Sequence, residues 1–196
     1  MNRRHACVLV LAMVLAVSPN LVFAAERGLA KATVAGKAVT IDYGRPALKG
    51  RALGDLIAKL SEDRVWRSGD DQVTTLTTET DLSIGGKTVK AGKYSLYVHL
   101  PADGSRNLIL NTDLGQPLVS IFAGAPENLK NAPWPYIGNY QAKIGDKEVL
   151  RVPLKKEMVK APLDVFAIDL TPAGAGANLK LSWGNESWSL DLKAAK

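Results

Sequence analysis

Between positions 42 and 78 the chain repeatedly sets arginine beside glycine or proline, in Tyr43-Gly44-Arg45-Pro46, Lys49-Gly50-Arg51 and Val65-Trp66-Arg67-Ser68-Gly69. A guanidinium group is a planar fork of donors suited to carboxylate, phosphate or sulfate, and a neighbouring glycine lets backbone amides come close to a ligand. If the segment folds back so that Arg45, Arg51 and Arg67 converge, with Tyr43 beside them and Trp66 as an apolar wall, it makes a pocket for a small anionic or polar ligand. Tyr43, Arg45, Arg51, Trp66 and Arg67 are therefore the candidate ligand-binding residues. The competing use of the same arginines is structural: pairing with Asp42, Asp55, Asp70 or Asp71 would pin an otherwise loose segment.

Other chemistry is poorly provided for. His5 and Cys7 lie near the N-terminus, which leaves His99 as the one further histidine and no further cysteine. A zinc site draws three or four ligands mainly from those two residue types, so no metal site is expected. Asp70-Asp71 offers too few oxygens for calcium, which takes six or more. No phosphate-cradling glycine loop is present, and Gly85-Gly86 reads as a hairpin turn. Ser95 and His99 share one face of a strand with Tyr97 between them, but four residues of strand span about 13 Å, too far for a direct hydrogen bond. That face reads as a solvent-facing polar stripe. No cofactor and no catalytic residue are expected.

The elements that must position the arginines are mostly strands. Alternation is cleanest in 94–100, where Tyr94, Leu96, Val98 and Leu100 share a face, and similar patterns fit 38–43, 73–78, 106–110, 148–154, 165–170, 179–183 and 188–192. Turn-prone residues separate them at Ala35-Gly36-Lys37, Gly85-Gly86, Ala102-Asp103-Gly104-Ser105 and Gly184-Asn185. The last pair predicts a closing hairpin, with Trp183 and Trp188 both facing the core. Leu53, Leu56, Ile57 and Leu60 fall at helical spacing and predict a short amphipathic helix over 52–60 that covers one end of the sheets. Segment 123–140, with Pro126, Pro133 and Pro135 around Trp134, has neither period and reads as a long surface loop. The fold class is all-β: an antiparallel β-sandwich, or a partly closed β-barrel, with one short helix after the first strands.

The N-terminus reads as a secretory signal peptide over 1–24. Arg3 and Arg4 precede an apolar run over 6–17, too short to span a bilayer, and Val22-Phe23-Ala24-Ala25 supplies small residues for cleavage after Ala24 or Ala25. The expectation is an exported protein, periplasmic or secreted, with a single domain over 25–196 and no later membrane span. Its one cysteine, Cys7, would leave with the leader, so the fold must stand without disulfides. Lysine and arginine number 25 against 19 acidic residues. The lysines are interspersed with acids rather than gathered into a basic stripe with aromatics, which argues against a nucleic-acid partner.

The arginine motifs resemble those of the bacterial exported family called domain of unknown function 2911. The resemblance continues through Ala91-Gly92-Lys93-Tyr94-Ser95-Leu96, Val149-Leu150-Arg151-Val152 and Leu179-Lys180-Leu181-Ser182-Trp183-Gly184, and so covers nearly all of the chain beyond the leader. It implies a β-rich exported domain and brings no reaction, cofactor or catalytic residue. Asp70-Asp71-Gln72 stands where that family has Ala-Asn-Glu. The reading is a non-enzymatic binding or interaction domain, its partner a small anionic or polar ligand or an envelope component. The alternatives are a hydrolase of unrecognised type using His99 or Asp70-Asp71, and a structural envelope protein.

Overall fold

The computed structural model describes residues 26–136 and 138–195; the expected leader lies outside them. The described chain opens with β1 (Arg27–Val34) and β2 (Lys37–Gly44), followed by the helix α1 (Leu53–Ala58). Next come β3 (Val65–Trp66), β4 (Thr75–Thr78), β5 (Leu82–Ile84), β6 (Lys87–Val89), β7 (Gly92–His99) and β8 (Asn107–Asn111). Two-residue β9 (Gln116–Pro117) and β10 (Pro133–Trp134) pair with each other, and α2 (Tyr140–Ile144) precedes β11 (Glu148–Pro153). Two long strands, β12 (Lys155–Ala173) and β13 (Gly176–Ala194), finish it.

All strand pairings are antiparallel, and the elements form a β-sandwich with no closed barrel. One sheet has the order β1-β2-β4-β7-β8-β11, with β3 also on β7; the other has the order β12-β13-β5-β6. Two hairpins follow directly from turn chemistry. Ala35-Gly36 has φ of 49° and 77° and Gly85-Gly86 has 57° and 79°, so each pair supplies the two left-handed residues of a tight turn whose twist matches its strands. The core lies between the sheets: Ile41, Leu76, Leu96, Val98 and Leu110 from the larger meet Ile84, Phe166, Leu179, Leu181 and Trp188 from the smaller.

Several sequence expectations change. Gly184-Asn185 is not a hairpin, because β13 runs unbroken through it. The inward positions are odd at Leu179, Leu181 and Trp183 and even at Trp188 and Leu192, so the side-chain parity shifts by one. Gly184, at φ 57° and opposite an irregularity in β12, marks where it shifts. A bulge therefore does what the hairpin was expected to do, and both tryptophans are buried. The Ser95, Tyr97 and His99 face is not a solvent stripe. Residues beyond β8 fold back over it: Ser95 Oγ donates to the Asp113 carbonyl at 2.6 Å, and Tyr97 packs edge-on against Tyr140 of α2 at 5.0 Å in a second small core with Ile109 and Ile144. Segment 123–140 is less loop-like than expected, since it carries β10, with Trp134 buried, and leads into α2. The strand β1 went unmarked in the sequence because its inward positions include the small Ala30 and Ala32 while Leu29 points out.

Replacing Gly184 by alanine forces a side chain into a left-handed conformation and places its Cβ 3.1 Å from the Leu53 Cβ. The expected loss is about 1–2 kcal/mol. It should be read as a lower urea midpoint with an unchanged slope.

Candidate functional site

The site begins with an interruption in one strand. Trp66 lies opposite Val98 and Thr75 lies opposite Ser95 on the same side of β7. Two residues of β7 separate those partners, whereas residues 67–74 separate Trp66 from Thr75, so the chain loops out of the sheet and returns to it. Thr74 Oγ1 closes the excursion by donating to the Ser68 carbonyl at 2.8 Å, and Ser68 itself is fully buried. Arg27 ties the loop to β2: it pairs with Asp42 and donates to the Val73 carbonyl at 3.3 Å. Gly44 and Gly69 let the two arginine motifs touch backbone to backbone, for a Cβ on Gly44 would lie 2.1 Å from the Asp70 carbonyl oxygen.

Beside this excursion a cavity of about 540 Å³ opens between α1 and the end of the sandwich. That is within the usual range for a small-molecule site. Its floor is aromatic. Trp66 from β3 stacks on Trp183 from β13, with ring centroids 5.1 Å apart and planes 14° apart, while Phe166 and Trp188 meet Trp66 edge-on. Leu53, Leu56, Ile57 and Leu60 form an aliphatic wall, the inward stripe read from helical spacing. The polar lining consists of Arg51, Lys59, Ser61, Arg67, Asp70 and the Tyr136 hydroxyl.

Of the candidate residues, Arg51, Trp66 and Arg67 share this cavity and Tyr43 and Arg45 do not line it. Tyr43 is a core residue whose hydroxyl donates to the Ile168 carbonyl at 3.3 Å. Arg45 pairs with Glu26 at 2.5 Å. Arg67 pairs with Asp70, also at 2.5 Å, which is one of the structural pairings the sequence allowed. Among the described residues Arg51 meets no carboxylate. Its Nε donates to the Leu48 carbonyl at 2.7 Å and its Nη2 to the Ala47 carbonyl at 2.9 Å, so the guanidinium is held in place with its charge uncompensated. Lys59, at the far end of α1, forms no side-chain hydrogen bond or ion pair among the described residues. Nothing in the sequence marks Lys59, which looks like any solvated lysine on an amphipathic helix.

A family model described as a protein of unknown function, DUF2911, matches residues 26–192, which include every element of this site. The chain belongs to the DUF2911 family. Comparison with curated proteins and with solved structures finds no significant match. In this DUF2911 protein His99 lines neither the main cavity nor the smaller one beside Gly54, and among the described residues it hydrogen-bonds to no acid or hydroxyl. Burial and the nearby Arg151 charge push its pKa down. Among the described residues no group of three or more His, Cys, Asp or Glu is placed to hold a metal ion, and no helix is long and apolar enough to cross a membrane.

Behind the floor of the cavity lies a buried charge network that the sequence did not announce. Glu186 of β13 accepts hydrogen bonds from Arg106 Nη2 at 2.9 Å, from Lys156 Nζ at 2.8 Å and from the Trp188 indole N–H at 2.8 Å. Arg106 is 5 % exposed and its guanidinium lies 5.6 Å from the Trp188 ring centroid. Burial alone would raise the Glu186 pKa; the hydrogen bonds from Lys156 and Trp188 and the Arg106 charge outweigh it and hold the carboxyl below its usual value. A lowered folded-state pKa means stabilisation that is present above the unfolded value, about 4.3, and lost as pH falls through the lowered one. Glu186→Gln leaves Arg106 uncompensated and should cost about 3 kcal/mol at neutral pH. Thermal melts from pH 7 down to 3 should show that gap between the two proteins narrowing as the wild-type carboxyl takes up its proton.

Proposed function

We propose that this DUF2911 protein is an exported, non-enzymatic binding domain whose site is the cavity between α1 and the tryptophan stack, and that its ligand carries an anionic group. The observation that supports this reading most directly is the pairing of an apolar, aromatic-floored cavity with two cations, Arg51 and Lys59, that have no carboxylate partner among the described residues. Such a rim favours a negative group, and the apolar interior favours a ligand larger than a bare inorganic anion. Arg67, already shared with Asp70, adds a polar edge without adding net charge.

Trp66, Trp183 and Trp188 report on occupancy directly, since three of the four tryptophans line the cavity. Titration with 8-anilinonaphthalene-1-sulfonate should give saturable one-to-one binding with quenching of tryptophan emission, weakened at least tenfold in Trp66→Leu. The uncharged N-phenyl-1-naphthylamine should bind more weakly than the sulfonate. Absence of saturable binding to a folded protein would remove the reading.

Export draws on Arg3, Arg4, the apolar run over 6–17 and the small residues before position 26. Because β1 opens at Arg27, cleavage after Ala24 or Ala25 would leave the first strand whole. Expression of the full chain in a Gram-negative host should yield a shortened protein in the periplasm or medium whose mass begins at Ala25 or Glu26. An intact chain retained in the cytoplasm would overturn export while leaving the binding site in place.

A further inference from the structure

We infer that the occupant of this cavity is a single-chain anionic amphiphile: an unbranched alkyl chain ending in one carboxylate or comparable acidic group. The inference rests on the reading of the cavity as a ligand site and narrows the class of ligand. Three features lead to it. The wall facing the tryptophans is aliphatic throughout, built by Leu53, Leu56, Ile57 and Leu60 of the α1 region and continued by Leu100. Within the cavity the polar side chains available to a ligand are mostly charged; the neutral ones are the Tyr136 hydroxyl and Ser61, which already donates to Asp63 at 2.6 Å. A sugar would leave most of its hydroxyls against hydrocarbon, and burying an unpaired hydroxyl is costly. An alkyl chain leaves none.

Charge decides the head group. Arg51 and Lys59 flank α1 at its two ends, and neither is neutralised by an acid of this chain among the described residues. The Arg51 guanidinium is held by two backbone carbonyls, so little freedom is lost when its remaining donors meet an anion. Lys59 is exposed and can move to the head group. The acid therefore sits at the rim, where water still reaches it, and the chain runs inward between the α1 leucines and the tryptophan floor. A fatty acid and the acidic head of a lysolipid present the same chemistry, a single chain with a single negative end.

The test is a chain-length series on the purified protein: octanoate, decanoate and dodecanoate, each below its micelle concentration, beside 1-decanol and inorganic phosphate, followed by tryptophan fluorescence. Affinity should rise about fourfold for each added methylene, because each buries one more unit of hydrocarbon. Decanoate should bind at least tenfold more tightly than decanol, and Lys59→Met should erase much of that preference while leaving decanol binding unchanged. Lys59 is exposed and its side chain forms no hydrogen bond or ion pair among the described residues, so the variant should melt as the wild type does. A lysolipid with a phosphate head, tested in parallel, separates the two sources by which binds more tightly. Equal binding of decanoate and decanol overturns the inference, and so does an affinity that ignores chain length. If the naphthalene sulfonate or phosphate still binds in that case, the cavity remains a ligand site of another class; if no probe binds, both readings fall together.

Discussion

The Trp66–Trp183 stack is the contact on which the site depends. Trp66 belongs to the larger sheet through its pairing with Val98, and Trp183 belongs to the smaller one through β13, so their rings join the two layers of the sandwich at one end. An aromatic pair of this kind adds about 1 kcal/mol beyond the area it buries. Its larger effect is geometric. The floor of the cavity does not exist in either sheet alone, and forms only when the sheets have packed in the right register. Trp188 and Phe166, meeting Trp66 edge-on, leave the stacked rings little room to turn.

Around that floor, charged groups are used in two different ways. Glu186 is surrounded by Arg106, Lys156 and the Trp188 indole, and every donor that reaches it is close to well-formed. That is the condition under which a buried carboxylate can stay charged, and it fixes the tryptophan from behind. On the open side the pattern reverses. Arg51 and Lys59 line the cavity without acidic partners among the described residues, so the cavity mouth is the part where charge is left unbalanced. The fold spends its acids on scaffolding, at Asp42, Asp70 and Glu186, and leaves cations at the rim.

Much of the architecture could be read from the chain because it depends on local rules. Two-residue turns built from Ala35-Gly36 and Gly85-Gly86, the alternation in β7 and the helical spacing from Leu53 to Leu60 each carry their meaning within a few residues. The site was only half readable. Arg51, Trp66 and Arg67 could be named from residue type beside glycine, but Trp183, Trp188 and Leu100 join them only through packing across the sandwich. Tyr43 and Arg45 looked equivalent to their neighbours, and nothing local distinguishes an arginine that meets Glu26 from one held by carbonyls. Alternation was misread at Gly184 because a shift of parity is the signature of a bulge as well as of a hairpin. Glu186 was hidden for another reason: its main partner, Arg106, lies 80 residues away in the turn just before β8 of the other sheet.

The looped-out segment 67–74 also bears on how such a domain could vary. Strand pairing to β7 is secured on both sides of it, by Trp66 before and Thr75 after, so the sheet does not need any particular length of chain between them. Ser68, Gly69, Val73 and Thr74 are buried and anchor both ends of the detour, so exchange is confined to the part-exposed side chains of Asp70, Asp71 and Gln72 while the tryptophan floor and the strand register stay where they are. The tip of the detour is in effect a variable edge set into a fixed frame. Variation among domains of this architecture would be expected to gather at that tip first, with the aromatic floor held constant beneath it.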